Sequence, residues 1–130
     1  MGLFSSNKKS STSGNQDWVE LQSTEGLDDL ENHSMDQPIV IFKHSTRCSI
    51  SHFVHRRLAS DWNFKKEELP FYYLDLIQFR NLSNAIADRT GVKHESPQMI
   101  LWYKGKVLYN ASHDNINLNE MQKHLPLKPN

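Results

Sequence analysis

Pro38-Ile39-Val40-Ile41-Phe42 is an unbroken apolar run of β-branched and aromatic residues. A strand with one wet face alternates apolar and polar side chains. A run without alternation is covered on both faces, as in a central strand of a sheet sandwiched between helices. The polar stretch Lys43-His44-Ser45-Thr46-Arg47-Cys48 comes next. Ile50, Phe53, Val54 and Leu58 then recur at spacings of three and four, which predicts a helix with one apolar stripe and with His52, His55, Arg56 and Ser60 off it.

On the N-terminal side, Trp18-Val19-Glu20-Leu21 alternates over the length of a short strand, and Ser23 or Thr24 is placed to cap a helix carrying Leu27 and Leu30. On the C-terminal side, Phe71-Tyr72-Tyr73-Leu74-Asp75-Leu76 reads as a strand entered after Pro70. Leu82, Ala85 and Ile86 mark a helix that Gly91 ends. Met99-Ile100-Leu101-Trp102-Tyr103, the turn Lys104-Gly105-Lys106 and Val107-Leu108-Tyr109 form a hairpin. Leu118, Met121 and Leu125 predict a last helix, stopped by Pro126 and Pro129. The order β-α-β-α-β-α-β-β-α, without internal repeat, predicts a three-layer α/β/α sandwich on a mixed central sheet.

The chain has 130 residues, the size of one domain. Residues 1–16, rich in Ser, Asn, Lys and Gly and lacking an apolar period, are expected to be a disordered tail, leaving residues 17–130 as the domain. Met1-Gly2-Leu3-Phe4-Ser5-Ser6 fits the short myristoylation pattern, which matches often by chance, and the tail is expected to be inert. Fifteen basic and 15 acidic residues give zero net charge, which opposes nucleic-acid binding, since that needs a surplus of Lys and Arg. The absence of a long apolar run opposes a membrane span. The single cysteine excludes an intramolecular disulfide and points to a cytoplasmic protein, expected to be a monomer.

Cys48 lies past the C-terminal end of the most buried strand, where a helix starts; ligands of open α/β sheets bind at that edge. The free N–H groups and partial positive charge of a helix N-terminus favour a thiolate. Arg47 adds a positive charge if its side chain turns toward the sulfur. Flanked by Ser45, Thr46, Arg47, Ser49 and Ser51, Cys48 reads as a reactive thiolate rather than an inert core cysteine. Cys48-Ser49-Ile50-Ser51 has a serine where a dithiol motif carries its resolving cysteine, so Cys48 exchanges with a mixed disulfide and then waits for an external reductant. Ser51 is either a hydrogen-bond donor to the thiolate or an ordinary first-turn residue. In His94-Glu95-Ser96-Pro97, the proline fits either a tight turn, with a cis bond, or routine strand entry.

These residues resemble the thioredoxin superfamily. More narrowly, Ile41-Phe42-Lys43-His44-Ser45-Thr46-Arg47-Cys48-Ser49-Ile50-Ser51 and Val92-Lys93-His94-Glu95-Ser96-Pro97-Gln98 resemble the monothiol bacilliredoxins of the bacillithiol system, over roughly residues 17–125. The resemblance implies that Cys48 takes bacillithiol from S-bacillithiolated protein substrates and becomes the mixed disulfide itself. It implies that Pro97 is a cis-proline facing Cys48 and that the Ser96 backbone pairs with substrate as a short added strand. It further implies that Thr46 and Arg47 belong to the active-site loop, that no cofactor is bound, and that the low-molecular-weight thiol is a co-substrate. Ser49 departs from the family, where many members have proline.

Four rival readings remain. Cys48, His52 and His55 on one helix, with His44, suggest a metal, although no further ligand is placed to close the set. His44 alone is either a tuner of Cys48 or a solvated side chain. Iron–sulfur glutaredoxins usually have Gly-Phe where this chain has Ser49-Ile50, and Ser45-x-x-Cys48 resembles the Thr-x-x-Cys of one-cysteine peroxidases on a longer fold. The non-enzymatic rival is a thioredoxin-like docking module presenting Trp62, Phe64, Phe71 and Trp102, residues whose ordinary place is the core.

Overall fold

A computed structural model describes residues 18–126. The expected tail, its acylation pattern and Pro129 lie outside the described residues. The elements are β1 (Val19–Glu20), α1 (Thr24–Ser34), β2 (Ile39–His44), α2 (Ser49–Asp61), β3 (Phe71–Asp75), α3 (Arg80–Thr90), β4 (Gln98–Tyr103), β5 (Lys106–Ser112), a 3-10 turn (His113–Asn115) and α4 (Leu118–Gln122). The strands form one sheet in the order β1-β3-β2-β4-β5. β3 runs parallel to β1 and β2, whereas β2–β4 and β4–β5 are antiparallel. The predicted order and the mixed sheet are both present.

All six residues of β2 are buried, so its side chains alternate between two cores. Ile39 and Ile41 pack with Leu27 and Leu30 of α1 and Leu82 and Ile86 of α3. Val40 and Phe42 pack on the other face with Val54 and Leu58 of α2, Trp62 and Met121. Each such apolar side chain contributes about 1.5–3 kcal/mol by leaving water. Ser23, rather than Thr24, caps α1, its Oγ accepting from the Gly26 N–H at 3.0 Å. Gly91 closes α3 at φ 79°, a left-handed conformation that a Cβ would disfavour.

Two expectations need correcting. Lys43 and His44 are no loop: they are the last residues of β2, 0% and 2% exposed. Parity carries Lys43 onto the α1/α3 face behind Ile41, and His44 onto the α2 face behind Phe42. The second correction is the phase of α2. Its buried residues are Ser51, Val54 and Leu58, whereas Ile50 and Phe53 are exposed. The stripe 51-54-58 keeps the same three–four spacing as the one expected but is rotated, bringing Ser51 inward and turning Ile50 and Phe53 toward His113 and Asp114. The aromatics take their expected place in the core rather than forming a docking patch. Trp62, Phe71 and Trp102 are buried, and Phe64 packs against the core, edge-on to Trp62 with ring centroids 5.2 Å apart. Trp18 precedes β1 and stacks on Phe71 at 3.8 Å between centroids, and Leu125 lies past the end of α4.

Candidate active site

β2 delivers the chain to the C-terminal edge of the sheet, and a turn closed by the Cys48 N–H donating to the Ser45 carbonyl (3.2 Å) leads into α2. Cys48 is the N-cap of α2, with extended backbone (φ −108°, ψ 124°), and it is partly exposed. Its carbonyl accepts the first helical bond, from the His52 N–H at 3.1 Å. The Cys48 side chain makes no capping hydrogen bond, but at this position its sulfur lies in the field of the open N–H groups of the first turn.

Those N–H groups lower the Cys48 pKa from its ordinary value. The Ser51 N–H contributes most and the Ile50 N–H next; desolvation opposes them, and the Ser51 hydroxyl is the smallest of the four effects. Arg47 is not among the groups that act on the sulfur. It is exposed, as are Thr46 and Ser49. Ser51 is fully buried; its N–H is the largest influence on the Cys48 pKa and its hydroxyl the smallest, and its Oγ accepts from the Ser45 N–H at 3.3 Å. Its hydroxyl thereby links both ends of the active-site loop. Ser51→Ala is expected to raise the Cys48 pKa, slow alkylation at neutral pH and cost about 1 kcal/mol through the orphaned Ser45 N–H. Thiolate absorbance followed against pH checks this; an unchanged titration would show the hydroxyl to be idle.

The second expected motif meets the first at this edge. Lys43 on β2 is the register partner of Gln98 on β4, so residues 96–97 abut the end of β2. The Ser96–Pro97 peptide bond is cis, and Pro97 is buried. The Pro97 carbonyl accepts from the His113 N–H at 2.8 Å, which joins this segment to the 3-10 turn after β5. Arg57 of α2 hydrogen-bonds to the Ile116 carbonyl just beyond that turn. Between them, Ser49, Ile50, Phe53, His113 and Asp114 line a shallow groove of about 430 Å³ beside the cysteine.

Behind the loop lies a group of rings. His44 stands 5.2 Å from His52, 5.0 Å from His55 and 5.4 Å from Tyr73, centroid to centroid. Burial, with the neighbouring His55 and His52 adding, pushes the His44 pKa down to about 4. The His52 Nε2–H donates to the Thr46 carbonyl at 2.8 Å, pinning the loop from the helix side. His44 is therefore not solvated. It is buried among these rings, 2% exposed, behind the active-site loop. Among the described residues no group of three or more His, Cys, Asp or Glu is arranged to hold a metal.

Sequence reasoning missed the inward aim of Lys43 and the apolar groove walls Ile50 and Phe53. For Lys43 a signal existed: counting by twos from Ile39 and Ile41 puts it on the inner face. For the groove no signal existed, since His113 and Asp114 arrive from a distant turn.

A mixed sheet with an activated cysteine at a helix start and a cis-proline at the same edge defines the thioredoxin-fold redox proteins. Solved structures agree. A protein described as a putative oxidoreductase with a thioredoxin fold superposes with TM-score 0.68 at 29% identity, covering 83% of this chain and 93% of that one. The thioredoxin of Malassezia sympodialis (TM-score 0.61, 14% identity, 82% and 85% covered) shares the fold. So does that of Trypanosoma brucei brucei (0.61, 17%, 82% and 86%). The family model of the monothiol bacilliredoxin BrxC matches residues 19–121, and the chain belongs to that family. Among the described residues no helix is long and apolar enough to cross a membrane.

Proposed function

We propose that this protein is a monothiol thiol–disulfide oxidoreductase that removes a low-molecular-weight thiol, bacillithiol, from protein mixed disulfides. The observation that carries this reading is the partly exposed Cys48 sulfur at the start of α2, served by the Ser51 and Ile50 N–H groups and by a hydroxyl at Ser51. The Cys48 thiolate attacks the sulfur of the small thiol. The bond between that sulfur and the target breaks, and the target leaves as a thiolate that takes a proton from solvent. Cys48 now carries the small thiol in a new disulfide. With no second cysteine in the chain, regeneration needs an external thiol, which attacks the small-thiol sulfur and releases Cys48.

In this reading the partners are S-thiolated proteins, whose backbone runs along Ser96 and Pro97 as a short added strand. Thr46, Arg47 and Ser49 form the exposed rim of the site. The protein works as a cytoplasmic monomer with no resident cofactor. Family membership supports bacillithiol as the thiol. The test is the intact mass of the reduced protein after mixing with a bacillithiolated protein at neutral pH, and separately with a glutathionylated one. Gain of the bacillithiol mass on Cys48 with release of a free target thiol is expected, faster than with glutathione. If neither adduct moves and Cys48 alkylates slowly, the reading fails and the fold is left with a docking role.

A further inference from the structure

Among the described residues, unpaired buried polar atoms are concentrated at one place. Lys43 Nζ, His44 Nδ1, Ser96 Oγ and Gln98 Oε1 are all buried without a hydrogen-bond partner, and all four residues flank the sheet edge that holds Cys48. Buried polar atoms are nearly always satisfied, and local violations of that rule tend to mark functional positions. Two of the four are complementary. Lys43 and Gln98 are direct cross-strand partners, so their side chains leave the same face of the sheet with Cβ atoms about 5 Å apart. One is a donor without an acceptor, the other an acceptor without a donor, and they are 0% and 1% exposed.

Gln98 already organises the segment in front of it. Its Nε2 donates to the Lys93 carbonyl at 2.9 Å and, more weakly, to Ser112 Oγ at 3.4 Å. His94, next in the chain, is hydrogen-bonded through Nδ1 to Ser83 Oγ of α3 at 2.7 Å. Lys43 lies close enough to act electrostatically on His94, together with Arg80 at the start of α3 and Glu95 beside it. Residues 93 and 94 are thus tied to β4 through Gln98 and to α3 through Ser83, and Lys43 stands beside Gln98 on the same face of the sheet. A buried ammonium costs stability when no anion pairs with it, and burial is the cause that pushes the Lys43 pKa down to about 8. An apolar side chain at this position would extend the Ile39–Ile41 face at no such cost.

We propose that Lys43 is a positioning residue, whose buried side chain, beside Gln98 on the same face of the sheet, keeps that amide in place to tie down residues 93–97 in the register that receives the substrate backbone. The inference rests on the reading of Ser96–Pro97 as the substrate groove. It assigns Lys43 no contact with the reacting sulfurs. Its effect is confined to substrates that have a peptide backbone to align.

The test compares two disulfides. One is a cysteinyl peptide carrying bacillithiol, long enough to run along Ser96 and Pro97. The other is a small symmetrical disulfide without peptide. Lys43→Met is expected to slow exchange with the peptide about tenfold, mostly in KM, since misplacement of a docking segment acts through alignment. The small disulfide should react within about twofold of the parent rate, and the melting temperature should not fall. Gln98→Leu, which removes the amide that Lys43 keeps in place, provides the second variant if Lys43→Met does not fold, and it should show the same selectivity. Equal loss on both disulfides, or no loss on the peptide, overturns the proposal. A parent protein unreactive toward both would instead overturn the oxidoreductase reading on which it rests.

Discussion

Replacement of Cys48 by serine is expected to abolish thiol transfer, by on the order of a thousandfold or more, while leaving the fold intact. The nucleophile in disulfide exchange is a thiolate. A serine hydroxyl stays protonated at neutral pH, and the N–H groups of Ser51 and Ile50 would then serve a neutral oxygen. The chain has no other cysteine to substitute for it. Serine is also a good N-cap, so α2 should be held at least as well by Oγ as by sulfur. Intact mass after mixing with a thiolated protein is the measurement, with thermal melts confirming the fold. Persistence of transfer in Cys48→Ser would place the chemistry outside this site. The docking alternative predicts the contrary pattern: partner capture unchanged and no turnover in either protein.

Acidification is expected to destabilise the protein by about 2 kcal/mol between pH 7 and pH 4.5, through His44 alone. Burial and the adjacent His55 and His52 hold the folded pKa of His44 near 4, below the 6.5 of a free imidazole. Between those values the unfolded chain binds a proton that the folded chain refuses, so stability falls with pH through that window and levels off below the folded pKa. His55, lowered by burial and by His52, acts in the same direction. Urea unfolding at the two pH values reads the difference. His44→Phe, which keeps a ring against Phe42 and Tyr73, should flatten the dependence. An equal slope in that variant would assign the acid sensitivity to other groups.

The central strand and the cysteine were legible for one reason: both depend on short-range patterns. An unbroken Ile39–Phe42 run has few ways to be buried, and a cysteine among serines, just before a helical period, has few places to sit. The layers followed from element order. Gly91, and the cap of α1 to within Ser23 or Thr24, were legible because cap geometry selects residue type directly. Legibility failed where tertiary position overrides pattern. Lys43 and His44 carry polar groups and so read as loop, yet the sheet continues through them because Leu74, Asp75 and Gln98 offer backbone partners. The phase of α2 was misread because Ile50 and Phe53 imitate a core stripe; only the meeting of α2 with the His113–Asn115 turn gives them a different use.

The serine at position 51 also governs what happens after chemistry. A second sulfur there would let the protein shed its adduct within one molecule, on its own clock. A hydroxyl cannot do so, and each molecule therefore holds at most one small thiol until another thiol arrives from solution. In the proposed function the fraction of protein in the capped form then tracks the balance between thiolated targets and free thiol around it. A population of these molecules, sampled by mass, would serve as a gauge of that balance.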